Sequence, residues 1–163
     1  YLSLDIKFRS ISHKKNIAKQ KQMSIKVQEK EIISEIASRE AFFYLLEQNP
    51  GLIILKLGAK WCGPCKTIKH VVDGFFASSP NTVVCGDIDV DQSYDFYSFL
   101  KSKKMVNGIP VILCYKKFNK TFIPDDMVTG ADAAQLHQFF LRCGAYLQES
   151  SLYKKNVAMK NSL

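Results

Sequence analysis

Cys62 and Cys65 lie in the stretch IILKLGAKWCGPCK, residues 53–66, with two residues between them and just after an apolar run that Lys56 interrupts. Cysteines at this spacing either close a reversible disulfide or supply half of a tetrahedral zinc site. Zinc needs four ligands, and no second Cys-x-x-Cys or His-x-His pair completes the set. Cys85, Cys114, Cys143 and His70 are scattered one to an element, and those three cysteines read as small buried apolar residues. A total of five cysteines is odd, which argues against a secreted disulfide scaffold. The pair therefore reads as a redox dithiol in a reducing compartment, with no metal and no cofactor.

Placed at a helix start, such a pair divides its labour. Cys62 would sit where free backbone amides and the helix dipole stabilise a thiolate, with Cys65 one turn further in and near enough to close a small disulfide ring. In this reading Cys62 is the exposed nucleophile. Gly63 and Pro64 stiffen the connecting turn and leave room for another protein's backbone, while Trp61 offers a flat apolar wall beside the thiol.

The elements that must hold this pair alternate between helical and strand-like periodicity, the pattern of an α/β layer fold. A short strand is expected at 25–27 and a helix at 38–48, stopped by Asn49, Pro50 and Gly51. LIILKL, 52–57, reads as a buried central strand. A helix from Cys62 to Phe76 tolerates Pro64 in its first turn. A strand at 82–88 and a helix from Ser93 to Lys104 follow. Val111–Tyr115 and Lys120–Ile123, separated only by KKFN, form an antiparallel hairpin. Asp132 with Gln135 resembles a capping box opening a last helix, Ala133 to Tyr146, whose Leu136, Phe139, Phe140 and Cys143 share a face. The expected order is β-α-β-α-β-α-β-β-α.

WCGPCK after a buried strand, GIP at 108–110 and a glycine at 130 before the last helix resemble the thioredoxin family, over roughly Ser24 to Leu147. DIDVDQ at 87–92 also resembles the segment that follows the family's third strand. The resemblance implies a thioredoxin fold, a central mixed β-sheet flanked by helices, and dithiol–disulfide exchange with other proteins. Carried over by position, Cys62 attacks a client disulfide and Cys65 resolves the mixed disulfide. Pro110 is the family's cis-proline facing the cysteines, and the backbone of Ile109 hydrogen-bonds an extended client segment. Trp61, Gly108, Ile109 and Gly130 form an apolar docking surface for substrates recognised by backbone and shape.

Three departures stand out. The hairpin between Pro110 and Gly130 is longer than is usual in the family. His70 replaces a proline that kinks the second helix, so a straighter helix is expected. Lys56 occupies the position of a buried aspartate that assists proton transfer at the resolving cysteine, and the aspartate's lysine partner on the third strand aligns with Cys85. Leu52, Ile54, Lys56 and Gly58 share one strand face, so Lys56 points inward and is neutral, paired with a group such as Asp87, or reaching a water-filled cleft. A lysine so placed could tune the cysteine pair.

Charge and composition bound the rest. The chain has 163 residues and a net charge of +8, of which residues 1–22 carry +5 and residues 151–163 carry +3. The middle is balanced, so the excess reads as two solvated ends around one domain at 23–148, with a basic, disordered extension at 1–22 and a flexible tail at 149–163. No nucleic-acid face is expected on the domain, and no apolar run approaches the roughly 20 residues that cross a bilayer. A cytoplasmic monomer fits this reading; the basic, nearly acid-free start also has the character of an organellar presequence. The expected function is reduction of protein disulfides, with electrons from a thioredoxin reductase or another thiol donor. The alternatives are a more oxidising oxidase or isomerase, and a docking subunit of a larger assembly that uses the long hairpin and basic ends.

Overall fold

The computed structural model describes residues 30–160. The strand expected at 25–27 and the basic segment at 1–22 lie outside them. Strands β1 (Ile32–Ile33), β2 (Leu52–Gly58), β3 (Val83–Asp89), β4 (Val111–Lys116) and β5 (Asp126–Thr129) form a single sheet ordered β1-β3-β2-β4-β5. β1, β3 and β2 run parallel, and β4 and β5 are antiparallel to their neighbours. The helices are α1 (Arg39–Glu47), α2 (Gly63–Thr67), α3 (Lys69–Ser78), α4 (Tyr94–Ser102) and α5 (Ala133–Lys160).

β2 is buried along its whole length because helices cover both faces of the sheet. Ile53, Leu55 and Leu57 join Phe42 and Leu46 of α1, Phe96 and Leu100 of α4, and Leu113 and Tyr115 of β4 in one core. Leu52 and Ile54 join Ile68, Val72 and Phe76 beside α3, Cys85 and Val83 of β3, and Leu136, Phe139 and Cys143 of α5 in the other. Period-two alternation in β2 thus feeds two separate cores.

Local chemistry sets the ends of the elements. The Ser38 hydroxyl accepts the Ala41 amide at 3.2 Å and caps α1. Buried Asn49 stops that helix, donating to the Tyr115 carbonyl at 3.1 Å and accepting the Gly51 amide at 3.0 Å. The Asp132 carboxylate accepts the Gln135 amide at 2.8 Å at the start of α5.

Three expectations are corrected. The helix expected to be continuous from Cys62 is broken at Ile68, which has ψ −6° and ends α2 while opening α3. No proline is needed: the Ile68 carbonyl accepts from both Val71 and Val72 at 3.1 Å, a tightened turn at which one helix ends and the next begins. The second hairpin strand is Asp126–Thr129, not Lys120–Ile123. Asn119 and Thr121 explain the shift, because Asn119 donates to the Ile123 carbonyl and to Asp125, both at 2.9 Å, and accepts the Thr121 amide at 2.8 Å. These local bonds compete with a ladder and leave 117–125 as a loop. The last helix continues past Tyr146 to Lys160, so most of the tail expected to be flexible is helical. Once a helix is nucleated on a docked first half, extending it through residues without Gly or Pro costs little. No helix among the described residues is long and apolar enough to cross a membrane.

Phe42 is fully buried, with its ring centroid 4.8 Å from Phe96 and 5.4 Å from Tyr115, whereas Tyr44 on the same helix is 64% exposed. Phe42→Ala should cost about 3–5 kcal/mol in denaturant unfolding, and Tyr44→Ala no more than about 0.5 kcal/mol.

Candidate active site

β2 ends at Gly58, and the chain turns through Ala59–Trp61 to the start of α2. Cys62 is the N-cap of that helix, in extended conformation, and its Sγ accepts the Cys65 amide at 3.2 Å. Pro64 falls in the first turn, where no amide hydrogen is required. Cys62 and Cys65 are joined as a disulfide with their Cα atoms 5.3 Å apart.

Cys62 is not the exposed residue that the spacing suggested. Its side chain is turned inward to bond Cys65 and accept the helix amide, which leaves it 4% exposed and Cys65 3% exposed. The open surface is provided instead by Gly63 and Pro64, both exposed, and by Trp61, 68% exposed. The Trp61 indole donates to Asp91 at 2.8 Å, and the Asp91 amide is held by the Asp89 carboxylate at 3.0 Å.

The Ile109–Pro110 peptide is cis. Pro110 is buried, Gly108 and Ile109 are half-buried, and the Pro110 carbonyl accepts the Gly130 amide at 2.8 Å. Gly130 has φ +88°, the left-handed region that a side chain would strain, so glycine is required for this link between β5 and the proline turn.

Lys56 projects to the same side of the sheet as Ile54, toward α2 and α3. Its ammonium meets the Asp87 carboxylate at 2.6 Å, with the lysine side chain 7% exposed and the aspartate 32%. Of the three environments open to Lys56, the paired one is observed. The partner is Asp87, the group named for that pairing, because strand register sets Lys56 against Asp87 and Ile54 against Cys85. Relative to the resemblance, the lysine stands on the central strand and the carboxylate on the third, two residues beyond the position that aligns with the family's lysine. A cavity of about 300 Å³ opens beside it, lined by Lys56, Gly58, Cys65, Asp87, Asp89 and Gln92 among others.

The remaining cysteines lie in the core. Burial pushes the Cys85 thiol up, and the hydrogen bond that the Cys114 thiol donates to Cys143, together with burial, holds Cys114 protonated. His70 is exposed on α3. Sequence reasoning missed the Trp61–Asp91 bond and the role of Gly58 in shaping the cavity. Acidic residues alternating at 87, 89 and 91 were the only signal for the first, and a glycine ending a strand gives none for the second.

A reversible disulfide capping a helix at the end of a central strand defines a thiol–disulfide oxidoreductase. Residues 33–142 match the thioredoxin family model, and the chain belongs to the thioredoxin family. It is similar to thioredoxin of Oryctolagus cuniculus, 32% identical over 93 residues that cover 55% of this chain and 81% of that protein. Thioredoxin-2 of Saccharomyces cerevisiae is 25% identical over 107 residues, 66% of this chain and 94% of that protein. Among solved structures, thioredoxin from Trypanosoma brucei brucei superposes with a TM-score of 0.55 at 25% identity, covering 72% of this chain and 94% of its own.

Because Trp61 is the sole tryptophan, its emission reports this site alone. Asp91→Ala should lower the steady-state anisotropy of that emission by freeing the indole, while unfolding free energy changes by no more than about 0.5 kcal/mol.

Proposed function

We propose that this chain reduces disulfides in other proteins. The observation that carries this reading is the Cys62–Cys65 disulfide at the head of α2, flanked by an exposed Trp61 and a Gly-Pro turn that a client backbone can approach. In the reduced state Cys62 attacks a client disulfide and releases one client thiol. Cys65 then attacks Cys62 Sγ, releases the second client thiol and re-forms the internal disulfide. Ile109, ahead of the cis Pro110, offers its backbone to an extended client segment, and Trp61, Gly63, Pro64, Gly108 and Gly130 form the docking surface. A thioredoxin reductase or another thiol donor regenerates the dithiol, and a monomer in a reducing, cytoplasmic setting suffices for this cycle.

The ion pair bears on the oxidising alternative. An unpaired ammonium close to the cysteines would favour the thiolate and make the protein a stronger oxidant. Asp87 offsets most of that field, which favours the reductase over the oxidase or isomerase.

Two sets of variants test the proposal. Cys62→Ser should abolish exchange, whereas Cys65→Ser should accumulate covalent mixed disulfides with clients, read on non-reducing gels. Capture by Cys62→Ser but not by Cys65→Ser would reverse the assignment. No turnover of a protein disulfide above the dithiol-free background, with thioredoxin reductase supplying electrons, would favour the docking subunit instead.

Lys56→Met leaves the Asp87 carboxylate beside the dithiol without its cation. The thiols should then ionise at higher pH and the redox potential should fall by about 10–30 mV, where about 30 mV is a tenfold change in the equilibrium constant. Equilibration with glutathione measures this, and coincident potentials for wild type and variant would remove Lys56 from any tuning role.

A further inference from the structure

We infer that the outward face of α5 is a docking rail for an acidic amphipathic helix carried by another protein. α5 packs on the sheet through Leu136, Phe139 and Cys143, and its apolar contact with the core ends at Tyr146 and Leu147. The helix runs on to Lys160, so roughly 20 Å of it, at about 1.5 Å per residue, extends past that core. At about 100° per residue, Leu141, Ala145, Leu152 and Met159 fall on one line along the side turned away from Leu136 and Cys143. All four are exposed, Leu152 by 59% and Met159 by 70%. Steps of four, seven and seven residues place them at a and d positions of a heptad, the seam along which a second helix packs. Gln148 and Lys155, both exposed, occupy the d positions between them. The second half of the helix is too sparsely apolar to cover a core, but a seam needs only its a and d positions.

Charge selects what lies on this seam. Glu149 is the only acidic residue after Asp132, and residues 151–163 carry +3. Arg142 is held by Asp126 at 2.6 Å, whereas among the described residues Lys154 and Lys155 have no ion-pair partner. A second copy of the chain would bring a helix of like charge, and residues 1–22, at +5, are repelled in the same way. A lipid surface would have to take Gln148 and Lys155 into its apolar layer along with the residues they separate. A partner helix instead sets a carboxylate against Lys155 and a hydrogen-bonding side chain against Gln148, and these polar pairs fix its register.

The rail leaves the dithiol open. Lys116 ends β4 opposite Leu52, the first residue of β2, and its ammonium stands 4.8 Å from the Tyr146 ring centroid. The helix beyond Tyr146 therefore lies at the end of β2 remote from Gly58 and Cys62. A protein docked there stays bound whichever redox state the cysteines are in.

The test titrates the full-length chain into two fluorescein-labelled synthetic peptides of three heptads, both with leucine at a and d. One carries glutamate at e and g, the other lysine. Fluorescence anisotropy should show the glutamate peptide binding at least about tenfold more tightly than the lysine peptide. Leu152→Ala/Met159→Ala, which keeps good helix formers in place, should weaken the glutamate peptide by about tenfold or more. Lys155→Glu should narrow or reverse the preference between the peptides. Oxidised and reduced chains should bind alike. Equal affinity for the two peptides, binding of neither, undiminished binding in the double variant, or an affinity that follows the redox state would each overturn the inference. Two further measurements on the chain without peptide bear on the occupant. Co-sedimentation with phosphatidylserine vesicles that the double variant loses would assign the seam to lipid, and a sedimentation-velocity dimer that it loses would assign the seam to a second copy. Either result would overturn the partner helix.

Discussion

The burial of β2 on both faces is the constraint from which the rest of the molecule follows. A strand with no exposed side needs α1 and α4 on one face and α2, α3 and α5 on the other. It needs β3 and β4 as hydrogen-bonding neighbours as well. Both cores depend on its alternation, and its last residue delivers the chain directly to the helix that the cysteines cap. Lys56 is the only charged residue in this strand, and in-register pairing with Asp87 is what makes it tolerable. A buried ion pair is weak evidence for added stability, because desolvation cancels much of the attraction. Its consequence is local: it sets two charges, oppositely signed and held in place, beside a buried thiol.

The cysteine pair depends on the same strand in a different way. Cys62 caps a helix of five residues, too short to be stable alone, and that helix is held by the disulfide ring below it and by Ile68 buried above it. At the other end of the sheet order from β1, Gly130 ties the end of β5 to the proline turn through the Pro110 carbonyl. The docking surface proposed for clients thus draws on segments next to β2, α2 and the β4–β5 hairpin.

Much of this was legible in the sequence, for identifiable reasons. WCGPC, GIP and the glycine at 130 identified the family, and β2 read as a central strand because LIILKL is apolar at nearly every position. Less was legible where local side-chain bonds decided the outcome. The hairpin strand was placed six residues early because Asn119 and Thr121 satisfy the loop's backbone in a way that hydrophobicity does not report. The final helix was cut short because its second half lacks an apolar face, although propagation needs none. At the site, residue types indicated a dithiol and named Asp87 as a partner open to Lys56, but the inward turn of Cys62 depends on cap geometry, and the selection of the paired environment for Lys56 depends on strand register. A one-strand reading does not contain these.

Exchanging the charges of the central pair is not a neutral swap, because the two side chains differ in reach. A lysine carries its charge on a long aliphatic stem, so Lys56 can cover apolar surface along β2 and present only its ammonium to the third strand. An aspartate at position 56 would place its charge a single methylene from the backbone, deeper in the protein and with a larger desolvation penalty. With the exchange, the carboxylate sits instead at Asp87, on the wetter side of the cavity, and the buried position on β2 is left to the side chain whose stem is apolar.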